Sequence, residues 1–200
     1  MSGADALAET EALEIIRHFY PEDTPLRRML LKHSRQVCGK ALEIMQNPAA
    51  EKLPLNRRRV IMGALLHDIG IFACDAPGIL CMGDQPYLAH GTIGGRLLRE
   101  YGRLRGLDLE AFARICERHT GTGITAAEIR VQHLPLPELD LLPETPEEKL
   151  ICLADKFFSK SGDMQEKSMA RIRRSLEKFG PDSTERWDSL CRTFGLPQNP

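Results

Sequence analysis

The segment from Val60 to Gly70 constrains the fold more than any other part of the chain. An apolar run (Val60, Ile61, Met62, Ala64, Leu65, Leu66) leads directly into His67 and Asp68, and the run breaks at Gly70. Burying an imidazole and a carboxylate at the end of such a run costs several kcal/mol unless a partner compensates them, and a bound cation is the simplest partner. Adjacent helical residues point about 100° apart, so both side chains reach one cluster only at a helix end. The segment therefore predicts a buried helix that ends at a metal site, provided that other ligands face inward.

Helical patterns cover nearly all of the rest of the sequence, and strand-like alternation is absent. Thr24-Pro25 is a cap followed by a proline at the first helical position, and Asn56 and Asp108 are further caps. Two capping boxes pair Thr125 with Glu128 and Thr145 with Glu148. Residues 71–89 are rich in Pro, Gly and Asp and read as a long loop, of the kind that often serves as a lid or binding loop. The pattern predicts an all-α helical bundle of about seven to nine helices.

Length and composition limit the domain count and the partners. A chain of 200 residues suits one well-formed core, and no repeat or linker divides it, so we expect a single domain over residues 1–200. The net charge of −1 does not favour nucleic acid or anionic lipid as a partner. No apolar run approaches membrane-spanning length, and the start, MSGADALAETEALE, lacks a cationic stretch followed by an apolar one. We therefore expect a cytoplasmic protein that does not bind membranes, and we leave a homo-oligomer open.

Cysteine and basic residues suggest no separate site. The six cysteines contain no C-x-x-C pair and are expected to be reduced, mostly buried small hydrophobic residues. A basic run is interspersed with Glu166 and Glu177, which favours a solvated helix face over a nucleic-acid contact. This run consists of Lys167, Arg171, Arg173, Arg174 and Lys178.

Four more side chains that can ligate a metal fall on inward faces or at ends of other predicted helices. His33 lies in the middle of an apolar stripe that recurs at steps of three and four, where a lone histidine is more often a core residue than a ligand. His90 opens a glycine-containing helix, and His119 ends the next one. Asp155 lies among apolar residues of a further helix, where a carboxylate is either paired or bound to metal.

In their order along the chain, these residues resemble the HD-domain superfamily of metal-dependent phosphohydrolases. The order His…His-Asp…Asp carries the resemblance, with His67-Asp68-Ile69-Gly70 as its central HDIG signature. The later motifs H-x-x-x-G-G, beginning at His90, and E-R-H-T-G, containing His119, resemble the HDIG-type branch with a two-metal site. The resemblance covers residues of about 26 to 161, which leaves an N-terminal helix and two C-terminal helices packed on this motif core.

The resemblance implies a metal-dependent phosphohydrolase that acts on a small phosphate ester or anhydride, most plausibly a nucleotide or dinucleotide. One metal ion would be held by His33, His67, Asp68 and Asp155, and a second by His90 and His119 with Asp68 as the bridge. Imidazole and carboxylate donors suit Fe, Mn, Zn, Co or Ni. Two such ions would hold a hydroxide that attacks the phosphate, with Asp68 also accepting a hydrogen bond from it, and no side-chain nucleophile is needed. His67 and Asp68 are therefore the catalytic candidates.

The chain departs from the family pattern at Ile71, where relatives often carry a basic residue directly after HDIG. Such a cation would help to neutralise a substrate phosphate. Four basic residues are candidate substitutes for it: Arg118, Lys156, Lys160 and Arg96. The departure leaves open a nucleotide-binding sensor that keeps the metal site and has lost turnover. By analogy within HD-type folds, a di-iron oxygenase is also left open.

Overall fold

The structure is a computed structural model that describes residues 2–197. Within these residues the chain is mostly helical, as the sequence predicts, and it forms nine α-helices. They are α1 (Gly3–Phe19), α2 (Pro25–Ile44), α3 (Arg57–Leu66), α4 (His90–Arg105), α5 (Glu110–Arg118), α6 (Ala126–Val131), α7 (Pro146–Asp155), α8 (Met169–Glu177) and α9 (Pro181–Thr193).

Most helix starts follow the capping signals in the sequence. The Thr24 hydroxyl accepts a hydrogen bond from the Arg27 N–H, and the Asn56 side chain accepts one from the Arg59 N–H. Both predicted capping boxes are present, at the starts of α6 and α7. Asp108 also accepts a hydrogen bond, from the N–H of Glu110, although α5 begins one residue later than this cap position implies. Each of these bonds satisfies an N–H that the first helical turn leaves unpaired.

Helix α3 occupies the centre of the bundle. Every residue from Val60 to Leu66 is buried, and the helix packs against α1, α2, α5 and α7. A helix that is apolar on all sides is stable only when neighbours surround it, so its position follows directly from its sequence. Because α3 ends in the interior, His67 and Asp68 emerge there as well, and both are fully buried.

The segment 71–89 is more ordered than the predicted loop. It contains three very short strands, β1 (Cys74–Ala76), β2 (Cys81–Met82) and β3 (Gln85–Pro86), in the order β2-β1-β3. Strand β1 pairs antiparallel with β2 and parallel with β3. Strands of two or three residues are too short for a period-two pattern to be visible in the sequence, and this minor sheet is a small departure from an all-α fold.

One large hydrophobic cluster joins the helices. It includes Ala8 of α1, Leu65 of α3 and Trp187 of α9. Among the described residues, no helix combines the length and the apolar character that a membrane crossing requires.

Candidate metal centre

Six buried side chains meet at the inner end of α3. His67 and Asp68 directly follow this helix, Asp155 is the last residue of α7, and His33 lies in the middle of α2. His90 is the first residue of α4, and His119 directly follows α5. The structure thus brings together the six residues that the sequence nominated as ligands, and each is at least nine-tenths buried.

The six side chains form two groups that share Asp68. One group is His33, His67, Asp68 and Asp155, and the other is Asp68, His90 and His119; in each, the donor atoms lie within 4.8 Å of one another. The two oxygens of Asp68 are divided between the groups. Oδ2 lies 3.2 Å from His33 Nε2 and 3.1 Å from His67 Nε2, whereas Oδ1 lies 3.4 Å from the Nε2 atoms of both His90 and His119. This arrangement allows one carboxylate to bridge two cations.

Three of the histidines are oriented by the same backbone contact. The Nδ1–H of His67 donates to the Ala64 carbonyl at 2.7 Å, and that of His119 donates to the Cys116 carbonyl at 2.7 Å. His90 Nδ1–H donates to the Tyr87 carbonyl at 2.6 Å. A carbonyl only accepts hydrogen bonds, so the proton of each neutral ring is held on Nδ1 and the lone pair of Nε2 points into the cluster. In metal sites, a hydrogen bond from the ring nitrogen that does not bind the metal commonly orients the histidine ligand.

The two carboxylates of the first group, Asp68 and Asp155, favour a positive charge beside them. Burial alone would lower the pKa of His67, but Asp68 and Asp155 raise it to about 9. Burial raises the pKa of Asp68, yet the facing His67 and Lys160 hold it well below its usual range. Asp155 behaves in the same way, with Lys156 and Lys160 offsetting its burial. Two ionised carboxylates therefore lie in the interior next to imidazole nitrogens.

The second group differs in charge. Burial, with His119 nearby, lowers the pKa of His90 to about 3, and burial also lowers the pKa of His119. The Nε2 atoms of these two rings face each other at 3.0 Å. Neutral imidazoles that converge in this way present two unprotonated nitrogen donors, which is the form that binds a metal.

Glycines bring the helices close enough for the histidines to meet. A Cβ on Gly70 would lie 2.3 Å from the His90 carbonyl oxygen, and one on Gly91 would lie 2.4 Å from the Cys116 carbonyl oxygen. Any larger residue would push α4 away from the end of α3 or from α5. These close approaches account for glycines that weaken helix α4 locally.

The four basic residues nominated for substrate binding separate into two pairs. Lys160 Nζ lies 2.8 Å from Asp68 Oδ2, and Lys156 Nζ lies 2.7 Å from Asp155 Oδ2. Arg118 instead donates to the Leu142 carbonyl at 2.5 Å and pairs with Glu144, and Arg96 is exposed. Of these four residues, only Lys156 and Lys160 line the cavity beside Asp155. Ile71, at the position after the HDIG signature, is fully buried.

Two residues near the centre were missed by the sequence analysis. The ring of Tyr87 stacks on His90 with ring centres 4.7 Å apart, and burial raises the pKa of Tyr87 to about 12. Its position three residues before His90, at the end of the predicted loop, is the only signal that the sequence offers. Lys167 lines the cavity beside Asp155 and precedes α8, so it is not part of a solvated helix face.

The donor set fits divalent transition metals. Within residues 2–197, His67 Nε2 and both carboxylate oxygens of Asp68 are buried and lack a partner in hydrogen-bond geometry, although Lys160 Nζ lies 2.8 Å from Asp68 Oδ2. Buried polar atoms rarely lack partners, and each exception calls for an explanation. Mixed imidazole and carboxylate donors are typical of Fe, Mn, Zn, Co or Ni, so bound cations of this class provide one.

Comparisons with known proteins identify a matching family and several relatives of the chain. A family model described as HD domain matches residues 30–159. A tRNA (cytidine(56)-2'-O)-methyltransferase of Picrophilus torridus is 32% identical over 151 residues, which are 76% of this chain but 36% of the relative. An uncharacterized protein of Methanocaldococcus jannaschii is 32% identical over 147 residues, covering 74% of this chain and 73% of the relative. The chain therefore spans only about a third of the methyltransferase.

One solved structure is also similar. The crystal structure of the HD domain of the phosphodiesterase PgpH from L. monocytogenes has a TM-score of 0.45 and 18% identity, covering 86% of this chain and 96% of that one. The family match and the shared-carboxylate clusters together support a metal-dependent hydrolase.

Proposed function

The chain belongs to the HD domain family, and from this premise we propose that it is a metal-dependent phosphohydrolase of the HDIG-type branch. Its substrate would be a small phosphate ester or anhydride, most plausibly a nucleotide or dinucleotide. The observation that carries the proposal is the division of Asp68 between two ligand groups, with Oδ2 toward His33 and His67 and Oδ1 toward His90 and His119.

We assign the residues as follows. His33, His67, Asp68 and Asp155 hold one divalent ion, and His90 and His119 hold a second with Asp68 as the bridge. When bound, two such ions supply a nucleophilic water of lowered pKa and neutralise the phosphate oxygens. Asp68 and His67 orient this centre, because their positions at the end of α3 are fixed by the surrounding core. No side-chain nucleophile is required.

Lys160 and Lys156 take the role of the basic residue that is absent at Ile71. Both ammonium groups lie within 3 Å of a carboxylate of the centre and also line the adjoining cavity. An ammonium in this position binds a phosphate oxygen through a charge-assisted hydrogen bond. Arg118 is held by Leu142 and Glu144, so it is a weaker candidate, and the exposed Arg96 is the weakest.

We further propose that residues 1–200 form a single HD domain, with a motif core of about residues 26–161. The N-terminal helix α1 and the C-terminal helices α8 and α9 would be packed on this core. The proposal is supported by the one large hydrophobic cluster, which includes residues of all three of these helices.

Metal content is the first test of the proposal. Protein purified without chelator should contain two transition-metal ions per chain by elemental analysis. The His119→Ala variant should contain about one, because His90 and Asp68 alone are too few protein ligands for a stable second site. The matched control is Asp75→Asn, which removes an exposed carboxylate of β1 and should keep both ions. A single ion in the wild type, or none, would contradict a binuclear centre.

Turnover is the second test. Metal-loaded wild type should hydrolyse bis(p-nitrophenyl) phosphate or members of a nucleotide panel with Mn²⁺ or Ni²⁺, and Asp75→Asn should match it. Tight nucleotide binding without hydrolysis would favour a sensor, for which the buried Ile71 is the specific observation. Oxygen consumption that requires iron and fails with Mn²⁺ would instead indicate an oxygenase.

A further inference from the structure

A cavity of about 460 Å³ opens directly beside the metal centre. One wall comes from the segment 76–87, including Ile79 and Tyr87, and the other from the end of α7 and the residues after it. Of the six ligand candidates, Asp155 lines the cavity, so the cavity adjoins the centre at this carboxylate. Its volume falls within the range of about 300 to 1,000 Å³ that is usual for small-molecule sites.

Three lysines and two serines from one short stretch of chain line this cavity: Lys156, Lys160, Lys167, Ser159 and Ser161. Two of the lysines lie against the centre itself, since Lys156 contacts Asp155 and Lys160 contacts Asp68. Their charges are thus located where a phosphate held at the centre would be. The third lysine is located differently.

Lys167 has no carboxylate within 4.0 Å among the described residues. Its neighbour in sequence, Glu166, pairs with Lys40 at 2.6 Å, and Asp163 accepts a hydrogen bond from the Gln165 N–H. The backbone N–H of Lys167 donates to the Phe157 carbonyl at 2.8 Å, which holds the residue next to the end of α7.

Burial and charge around Lys167 are unfavourable to a cation. Burial lowers the pKa of Lys167, and the positive charges of Lys156, Arg171 and Lys160 lower it further against the opposing effect of Asp155. A half-buried ammonium that has three cations and one carboxylate as its charged neighbours is stabilised further when an anion binds beside it. Because Lys156 and Lys160 are already next to the centre, the anion that reaches Lys167 would be a second group of the substrate.

We propose that Lys167 forms a subsite for a second phosphate, so that the enzyme selects substrates with two or more linked phosphates over substrates with one. The inference rests on the proposed function, since the first phosphate lies at the metal centre. Lys156 and Lys160 contact the phosphate that is cleaved, while Lys167, with Ser159 and Ser161 in the same wall, contacts the adjoining one. Nucleoside polyphosphates and pyrophosphate-linked dinucleotides are the substrate classes that carry two or more linked phosphates.

Binding calorimetry with two non-hydrolysable probes tests the subsite directly. Methylenediphosphonate carries two linked phosphorus groups, and methylphosphonate carries one. We expect Lys167→Ala to weaken binding of methylenediphosphonate to metal-loaded protein by about 10-fold or more, as for loss of one charge-assisted hydrogen bond. Binding of methylphosphonate should change by less than about 3-fold, because that probe does not reach Lys167.

Two variants control for general effects of charge and folding. Lys178→Ala removes an exposed lysine near Phe179 and should bind both probes as the wild type does. Lys167→Arg keeps the charge and should retain most of the affinity for the diphosphonate. If Lys167→Ala alters the circular dichroism spectrum, Lys167→Gln replaces it in the same comparison. Equal weakening of both probes, or unchanged binding of both, overturns the subsite.

The failure of this inference can be distinguished from the failure of the proposed function. If diphosphonate binding depends on Lys167 but the protein hydrolyses no phosphate ester, the subsite is supported and the proposed hydrolase activity is contradicted. The ratio of kcat/KM for polyphosphate substrates to kcat/KM for monophosphate substrates is the second readout. If the protein hydrolyses both and this ratio is the same in wild type and in Lys167→Ala, the hydrolase activity is supported and the subsite is contradicted.

Discussion

Buried carboxylates in two regions of the molecule are compensated in different ways. At the start of α7, Glu148 Oε2 accepts hydrogen bonds from the backbone N–H groups of Glu144 and Thr145, and Oε1 accepts one from Arg114 Nε. At the inner end of α3, Asp68 is surrounded by four imidazoles and the Lys160 ammonium. Both of its oxygens nonetheless lack a partner in hydrogen-bond geometry among residues 2–197.

The difference separates a structural carboxylate from a candidate ligand. Glu148 is complemented by donors that the fold itself supplies, so its burial is stabilising. Asp68 is compensated instead by the charges of Lys160 and His67, and the Nδ1–H groups of three surrounding histidines are turned outward to backbone carbonyls. The Nε2 atoms of the four surrounding imidazoles face its two oxygens at 3.1–3.4 Å, which is the arrangement of a metal-ligand cluster. The comparison indicates that the centre is completed by cations that come from outside the chain.

The largest effect that tests this contrast is on turnover. Asp68→Asn should lower kcat/KM by about 1,000-fold or more, the upper range for loss of one electrostatic group at an active site. The same change should also lower the free energy of unfolding of chelator-treated protein, because it leaves the buried Lys160 ammonium without its carboxylate partner. Phosphodiester hydrolysis and urea denaturation provide the two measurements. A stability loss of several kcal/mol with normal turnover would identify Asp68 as structural.

Replacing Glu148 should affect stability and leave turnover unchanged. Glu148→Ala leaves Arg114 and two backbone N–H groups of the helix start without their acceptor, so we expect a loss of about 3 kcal/mol in the free energy of unfolding. Urea denaturation measures this loss. The specific activity of the folded fraction should stay near the wild-type value, since Glu148 is not among the ligand groups. Loss of metal without loss of stability would reverse the roles given to the two regions.

Added metal should stabilise the folded protein through the ligands around Asp68 and not through Glu148. At a free metal concentration of about 100 times the dissociation constant, binding should raise the free energy of unfolding by about 2.7 kcal/mol per site. Thermal unfolding with Mn²⁺ and with a chelator should show this increase for wild type and for Glu148→Ala, because Glu148 provides no ligand. For Asp68→Asn the increase should be much smaller. Equal stabilisation of all three proteins would place the bound metal elsewhere.

Much of the difference between the Asp68 and Glu148 regions could be predicted from the sequence. The all-apolar run of α3 predicts a buried helix that ends on His67 and Asp68, and the Thr145-Glu148 capping box predicts the bonds that the structure shows at α7. The six ligand candidates could be nominated because motif order and inward position agree. Their division around the two oxygens of Asp68 depends on side-chain rotation, which no pattern of residue types encodes.

The features that the sequence did not reveal depend on irregular backbone. The path of residues 156–168 has no periodicity, so Lys167 could not be separated from the basic residues of α8 or assigned to the cavity. The same is true of Tyr87, which reaches His90 through a single turn at residues 87–89. The strands of the segment 71–89 pair over two or three residues only, which is below the length at which alternation can be recognised.

The smallest expected effect concerns a second structural carboxylate, Asp5. Its oxygens accept hydrogen bonds from Arg57 Nε at 2.8 Å and Nη2 at 3.1 Å, and the Arg57 guanidinium lowers the pKa of Asp5 from 3.8 to about 2. A carboxyl group with a lower pKa in the folded state stabilises the protein above the unfolded pKa and loses that contribution as the pH falls through the folded value. Asp5→Asn should therefore reduce Tm at pH 7, and the difference from wild type should shrink between about pH 4 and pH 2. Because Arg57 is half exposed, this reduction should be smaller than that of Glu148→Ala. A difference in Tm that does not change with pH would mean that Asp5 acts through packing instead of through its charge.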